Sequence, residues 1–183
     1  MVRSKTISSG GYHPSQERNS YMNDYTVKTG TMDIIRIKGD SPSECFENMS
    51  VLDKACFGTD GWSAHSFFAE ACQPDGIVLA AYCDKVFAGL FAGFTASDTG
   101  EILSLAVSPE FRRKGIAQAL LSEFLRLIPD EIETVALEVR QSNTAAIALY
   151  KSFGFERAGV RKRFYRDPVE DADIMVLNRR GAQ

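Results

Sequence analysis

Between Glu101 and Glu123 a strand pattern runs into a helix pattern through an unusual joint. Ile102, Leu103, Leu105, Ala106 and Val107 form an apolar run that Ser108-Pro109 ends, and Ile116, Leu120, Phe124 and Ile128 then recur at helical spacing. The joint, Arg112-Arg113-Lys114-Gly115-Ile116-Ala117, has no Ser, Thr, Asp or Asn where a helix usually receives its N-cap. First-turn N–H groups are left without a side-chain acceptor, Gly115 and Ala117 keep the approach open, and the cations Arg112, Arg113 and Lys114 stand alongside. Such an end suits a diphosphate, and it equally describes a solvated basic turn.

The rest of the composition narrows the class. A chain of 183 residues, 44% hydrophobic and 25% charged, is sized for one soluble domain around a single core. Its net charge of -3 argues against broad neutralisation of nucleic-acid phosphates. No apolar run reaches the ~20 residues of a membrane helix, and the N-terminus lacks the apolar centre of a secretion signal, so the expected location is cytoplasmic, away from membranes. Cys45, Cys56, Cys72 and Cys83 show no CxxC spacing, and only His13 and His65 could join them, so buried free thiols and no metal are expected.

Taken in order, residues 1–31 are polar without a sustained period and read as a disordered arm, with a single domain expected over 32–180. Ile34, Ile35 and Ile37 suggest a first strand. Ser41-Pro42-Ser43-Glu44 reads as a capping box opening a helix with Phe46, Met49, Leu52 and Cys56 on its apolar face. A loop from Gly58 to Gly61 precedes a short helix begun by Trp62-Ser63 and packed through Phe67, Phe68, Ala71 and Cys72. Ile77 to Cys83 and Val86 to Thr95 read as an antiparallel hairpin turned by Asp84-Lys85. The helix after Gly115 stops at Pro129. Thr134 to Arg140 is a strand, and Ala145 to Phe153 a helix closed by Gly154. Phe155 to Val160 and Asp173 to Leu177 are strands joined by the basic run Arg161 to Pro168. This order implies a mixed α/β sheet with helices on both faces.

Three residues of the C-terminal half invite chemistry, and each has an ordinary explanation. Glu138 interrupts an otherwise Val/Leu/Ala strand, opposite the face of Val135, Leu137 and Val139, and could be solvent-facing or paired with Arg140. Tyr150 could be a core tyrosine. Asn143 could be no more than the N-cap of its helix.

Their order is more specific. Arg112-x-x-Gly115-x-Ala117 resembles the acetyl-coenzyme A signature of the GNAT N-acetyltransferases. Leu137-Glu138-Val139-Arg140-x-Ser142-Asn143, followed by Ala145, Ala146, Leu149, Tyr150 and Phe153-Gly154-Phe155, resembles the second motif of the RimI-type branch, which acetylates the N-terminal alanine of bacterial ribosomal proteins. Arg161-x-x-Phe164-Tyr165 and Glu170 to Met175 are similar to that branch's ending. The resemblance covers roughly residues 32–177. It departs from the pattern at Gly61, before Trp62-Ser63, at Ser104 and at Phe164, which bears on the peptide-binding side more than on the cofactor side.

The resemblance implies a GNAT-type fold, a mostly antiparallel sheet with a splayed parallel pair and helices on both faces. Acetyl-CoA would be the co-substrate, without a metal. Leu105, Ala106 and Val107 would pair with its pantetheine arm, the segment Arg112, Arg113, Lys114, Gly115, Ile116, Ala117 and Gln118 would wrap its diphosphate, and Asn143 would hydrogen-bond it. Glu138 would be the base and Tyr150 the acid, with Trp62 and Tyr165 contacting a peptide N-terminus, a ribosomal protein being the expected partner and direct nucleic-acid binding not expected. Transfer to a small amine or a lysine, and a non-catalytic acyl-CoA-binding module, are the alternatives.

Overall fold

The computed structural model describes residues 26–29 and 32–180, the latter with their side chains. The chain opens with strands β1 (Thr26–Thr29) and β2 (Met32–Ile37), followed by helices α1 (Ser43–Phe57) and α2 (Ala64–Ala71). Strands β3 (Gly76–Cys83), β4 (Val86–Ala96) and β5 (Thr99–Val107) lead to α3 (Ile116–Leu127). Then come β6 (Thr134–Arg140), α4 (Thr144–Ser152), β7 (Glu156–Arg166) and β8 (Val169–Asn178).

The strands form one sheet in the order β1-β2-β3-β4-β5-β6-β8-β7. Neighbours are antiparallel except β5 and β6, which run parallel. Asp84 and Lys85 turn the β3–β4 hairpin with both φ angles positive, the geometry that matches strand twist.

Because helices cover both faces, β3 and β4 are apolar on both sides. One core lies under α3 and α4, where Leu120, Leu121, Phe124 and Tyr150 pack on Ile102, Val135 and Leu137. The other lies under α1 and α2, where Phe46, Met49, Leu52 and Phe67 pack on Val78, Ala80 and Leu90. Each fully buried side chain of this size contributes about 1.5–3 kcal/mol, so the two cores are what hold the sheet between its helices.

Several expectations change. The sheet takes in Thr26–Thr29, which pairs with Met32–Ile35 upstream of the expected start at Met32; residues 1–25, 30 and 31 of the expected arm lie outside the described residues. The capping box is not made: the Ser41 hydroxyl accepts from the Lys38 N–H at 2.9 Å in the turn out of β2, and α1 starts behind Pro42 without a side-chain cap. Phe68 and Cys72 lie on the outer side of α2 and are exposed, Cys45 and Cys83 are half-buried, and of the cysteines only Cys56 is buried. The basic run after Val160 is strand rather than loop. As the sheet's edge, β7 tolerates charge, and its Arg157, Arg161 and Lys162 pair with Asp173, Glu138 and Asp171.

Candidate active site

The site begins with a fault in the sheet. The register between β4 and β5 shifts at Ala92/Gly93, where Ser104 faces Ala92 but Ile102 faces Gly93, leaving Leu103 as the extra residue of a bulge. A side chain at position 93 would meet the Glu101 carbonyl at 2.7 Å, so the bulge needs glycine there. Pairing of β5 with β6 is confined to Thr99–Glu101 against Thr134–Ala136, and the two strands part beyond it. Ser108 donates its N–H to the Ala88 carbonyl at 2.9 Å, so by the ladder's alternation Ala106 also turns its backbone toward β4. The backbone groups of Leu105 and Val107 then point into the gap.

A cleft of about 350 Å³ fills this gap. Leu105, Ala106 and Val107 form one wall, and the first turn of α3 closes one end through Gly115, Ile116, Ala117 and Gln118. Gly115 is the N-cap of α3 at φ 81°, with no side-chain cap bond, so the first-turn N–H groups have no side-chain acceptor. Arg113 also takes a positive φ, 60°. Those free donors at a helix N-terminus, beside an uncrowded glycine, fit a diphosphate.

The flanking cations do not act alike. Arg113 lines the cleft. Arg112 lines it too, but its Nε donates to the Val107 carbonyl at 3.2 Å, which makes it a strut between strand and turn. Lys114 does not line the cleft and lies over the Phe111 ring, 5.0 Å from its centroid.

The opposite wall comes from α4. Asn143 is both cap and cleft residue: its Oδ1 accepts from the Ala146 N–H at 3.0 Å, and it is buried against the cleft. Tyr150 is 1% exposed and lines the cleft, yet its hydroxyl makes no hydrogen bond among the described residues. Buried tyrosines ordinarily find a partner, and this hydroxyl opens on the cleft instead. Burial pushes its pKa well above the usual phenol value, so it is protonated at neutral pH.

Glu138 lies on β6 and does not line the cleft. Its Oε1 accepts from Arg161 Nη1 at 2.7 Å, so its partner across the sheet is Arg161 and not the adjacent Arg140. Tyr165 is 2% exposed, with its hydroxyl donating to the Glu138 carbonyl at 3.3 Å and its ring under the Arg140 guanidinium. These contacts tie Tyr165 to the strand that carries Glu138. Trp62 is half-buried, its backbone fixed at both ends by Asp53 Oδ2 (2.6 Å) and Ser50 Oγ (2.9 Å) and its ring against Phe67.

With this geometry in place, the relatives are informative. The profile described as Acetyltransferase (GNAT) family matches residues 45–155. This chain belongs to the GNAT acetyltransferase family. It is 35% identical over 127 residues to the N-alpha-acetyltransferase RimI of Mycobacterium tuberculosis, covering 67% of this chain and 77% of that protein. It is 36% identical over 123 residues to the ribosomal protein bS18-alanine N-acetyltransferase of Salmonella typhimurium, covering 63% and 80%. The crystal structure of the ribosomal-protein-S18-alanine N-acetyltransferase from Escherichia coli superposes with TM-score 0.67 at 26% identity, covering 80% of this chain and 93% of that one. Chemically, this GNAT chain is therefore an acetyl-CoA-dependent N-acetyltransferase.

Sequence reasoning missed part of this acetyltransferase site. Cys56 and Phe57, from the end of α1, also line the cleft. Burial pushes the Cys56 thiol up to about 11, with nearby Arg112 pulling the other way, so it stays protonated at neutral pH. Asp53, 1% exposed, holds Ser104 Oγ at 2.5 Å and the Trp62 N–H, linking α1 to the bulged strand. An Asp beside Met49, Leu52 and Cys56 on an apolar helix face was the available signal.

Proposed function

We propose that this acetyltransferase acetylates the N-terminal amine of a protein, with an N-terminal alanine on a ribosomal protein as the preferred acceptor in the cytoplasm. The observation that carries the reading is the Tyr150 hydroxyl, on a buried side chain, protonated and without a partner among the described residues, in a cleft whose far end is an uncapped helix N-terminus. The names of the M. tuberculosis, S. typhimurium and E. coli relatives supply the acceptor class.

Acetyl-CoA supplies an activated thioester carbonyl. Its diphosphate is assigned to the N–H groups of Gly115 to Gln118 with the Arg113 side chain, its pantetheine arm to the backbone of Leu105 and Val107, and a further hydrogen bond to Asn143. An N–H of Leu105 or Val107 is assigned to stabilise the oxyanion, a contact typically worth about 3 kcal/mol. The acceptor amine, with a pKa of about 7.7 to 8.0, attacks only when neutral, and Glu138 is assigned as the group that takes its proton through an intervening water. The C–N bond forms as the C–S bond breaks, and Tyr150 donates to the departing sulfur. A phenol above its ordinary pKa is a weaker acid than a thiol near 8.5, so Tyr150 serves chiefly as a hydrogen-bond donor while the bond breaks. The protonated Cys56 thiol supports direct attack over an acyl-cysteine intermediate.

The test is mass spectrometry of peptides with N-terminal Ala, Ser or Met and of N-terminally blocked Lys peptides, each incubated with enzyme and acetyl-CoA. One acetyl group on the α-amine of the Ala peptide is expected. Acetylation confined to the Lys peptides or to a small-amine panel would move the acceptor class, and retained acetyl-CoA binding with no product would point to a non-catalytic acyl-CoA-binding module.

A further inference from the structure

Arg140 follows Glu138 by two residues on β6 and is 3% exposed. Its Nη1 donates to the Pro168 carbonyl at 3.0 Å and to Glu170 Oε2 at 2.9 Å, and its Nη2 to the Asp167 carbonyl at 2.9 Å. The same Nη2 lies 3.6 Å from Asp60 Oδ2, in the turn that ends two residues before Trp62. Its guanidinium stands 4.1 Å from the centre of the Tyr165 ring, whose hydroxyl returns to the Glu138 carbonyl. Glu170 reaches on to the Ser142 N–H at 2.6 Å, next to Asn143.

One buried cation therefore ties together the loop after α1, the β7–β8 turn and the strand that carries Glu138. On the N-terminal acetyltransferase reading, the acceptor enters between those two loops. As a stability device the arrangement is poor: the Arg140 Nε–H is buried without a hydrogen-bond partner, and a buried ion pair rarely outperforms apolar packing. As a spacer it is well suited, because a planar fork holds several acceptors at fixed directions, whereas the three donors of a lysine rotate about a single nitrogen.

We propose that Arg140 is the positioning residue for the acceptor, setting the spacing of the 58–63 loop and the 164–170 hairpin relative to Glu138. The proposal rests on the N-terminal acetyltransferase reading for what the groove receives. Arg140 does not itself line the cofactor cleft and touches its wall only through the backbone and Glu170 beside Asn143, so its main effect is expected on the acceptor.

Two variants test it, Arg140→Lys, which keeps the charge but loses the fork, and Asp60→Asn, which loosens one arm and leaves Arg140 in place. Each is expected to raise the acceptor KM by about tenfold or more, the scale on which small misplacements act, with kcat and acetyl-CoA Kd changed less than about threefold. An acceptor KM at the wild-type value, or acetyl-CoA affinity lost in step with it, overturns the proposal. Hydrogen exchange of the acetyl-CoA-bound enzyme provides a readout that needs no acceptor. Arg140→Lys should speed exchange in both 58–63 and 164–170 but not in 113–118, and wild-type protection in either loop overturns the clamp. If the wild-type enzyme acetylates no peptide, the acceptor reading fails, while the exchange measurement still decides the clamp.

Discussion

Glu138 Oε1 lies 2.7 Å from Arg161 Nη1, joining the carboxylate of β6 to the charged edge strand β7. The arginine is 54% exposed and the carboxylate 13%, so the contact is open to solvent on its arginine side, a setting in which an ion pair contributes about 0–1 kcal/mol. A weak pair can yield its place to an incoming amine, which a buried pair could not.

The two partners are therefore expected to separate by mutation. Glu138→Gln should lower kcat by about a hundredfold or more, the usual contribution of a positioned base, with acetyl-CoA Kd unchanged. Arg161→Ala should keep turnover within about threefold and lose at most about 1 kcal/mol of stability. Steady-state kinetics with isothermal titration check both, and wild-type turnover in Glu138→Gln would remove the base from the scheme.

Tyr150→Phe separates catalysis from folding in the opposite sense. Its hydroxyl lines the cleft and has no partner among the described residues, so deleting it removes no hydrogen bond and should leave stability to unfolding within about 0.5 kcal/mol of wild type. Turnover should fall about ten- to a hundredfold with the donor to the leaving sulfur gone. A variant that is both less stable and fully active would make Tyr150 an ordinary core residue.

Gly115→Ala tests the anion end. The nearest atom to an added Cβ is Gln118 Oε1 at 3.7 Å, so there is room, but the φ of 81° is left-handed and unfavourable for alanine by about 1–2 kcal/mol. Either the strain is retained, or the turn rotates and its N–H groups leave their common direction. The expected result is an acetyl-CoA Kd raised about tenfold, with the acceptor KM unchanged, by titration calorimetry. Unaltered cofactor affinity would show that the turn's backbone does not hold the diphosphate.

These residues were legible in the sequence because their signals are local. A missing cap at Gly115, a tyrosine on an apolar helix face and a glutamate inside a strand all appear within one element. What escaped depends on contacts between distant elements. Asp53 meets Ser104 across 51 positions, and Arg140 meets Asp60 only once the loop after α1 folds back. The basic run through Arg161 and Lys162 carries no period-two signal, because an edge strand with acidic neighbours on β6 and β8 needs none. Tyr165 looked like a loop aromatic for the same reason, and the extended β7 is what buries it.

The last expectation concerns acid. Burial alone would raise the Glu170 carboxyl, but hydrogen bonds from Arg140 and the Ser142 N–H, together with the Arg140 charge, outweigh it and hold it below the usual carboxylate range. A lowered native pKa means that the unfolded chain binds this proton more tightly. The contribution is therefore complete above the ordinary glutamate value of about 4.3 and is lost as pH falls through the lower native value. Glu170→Gln keeps the shape but cannot ionise, so it should be less stable than wild type near neutral pH, with the difference shrinking below about pH 4. Urea unfolding of both proteins between about pH 7 and pH 3 measures this, and a difference that stays constant across that range would place the effect of Glu170 in its hydrogen bonds and not in its charge.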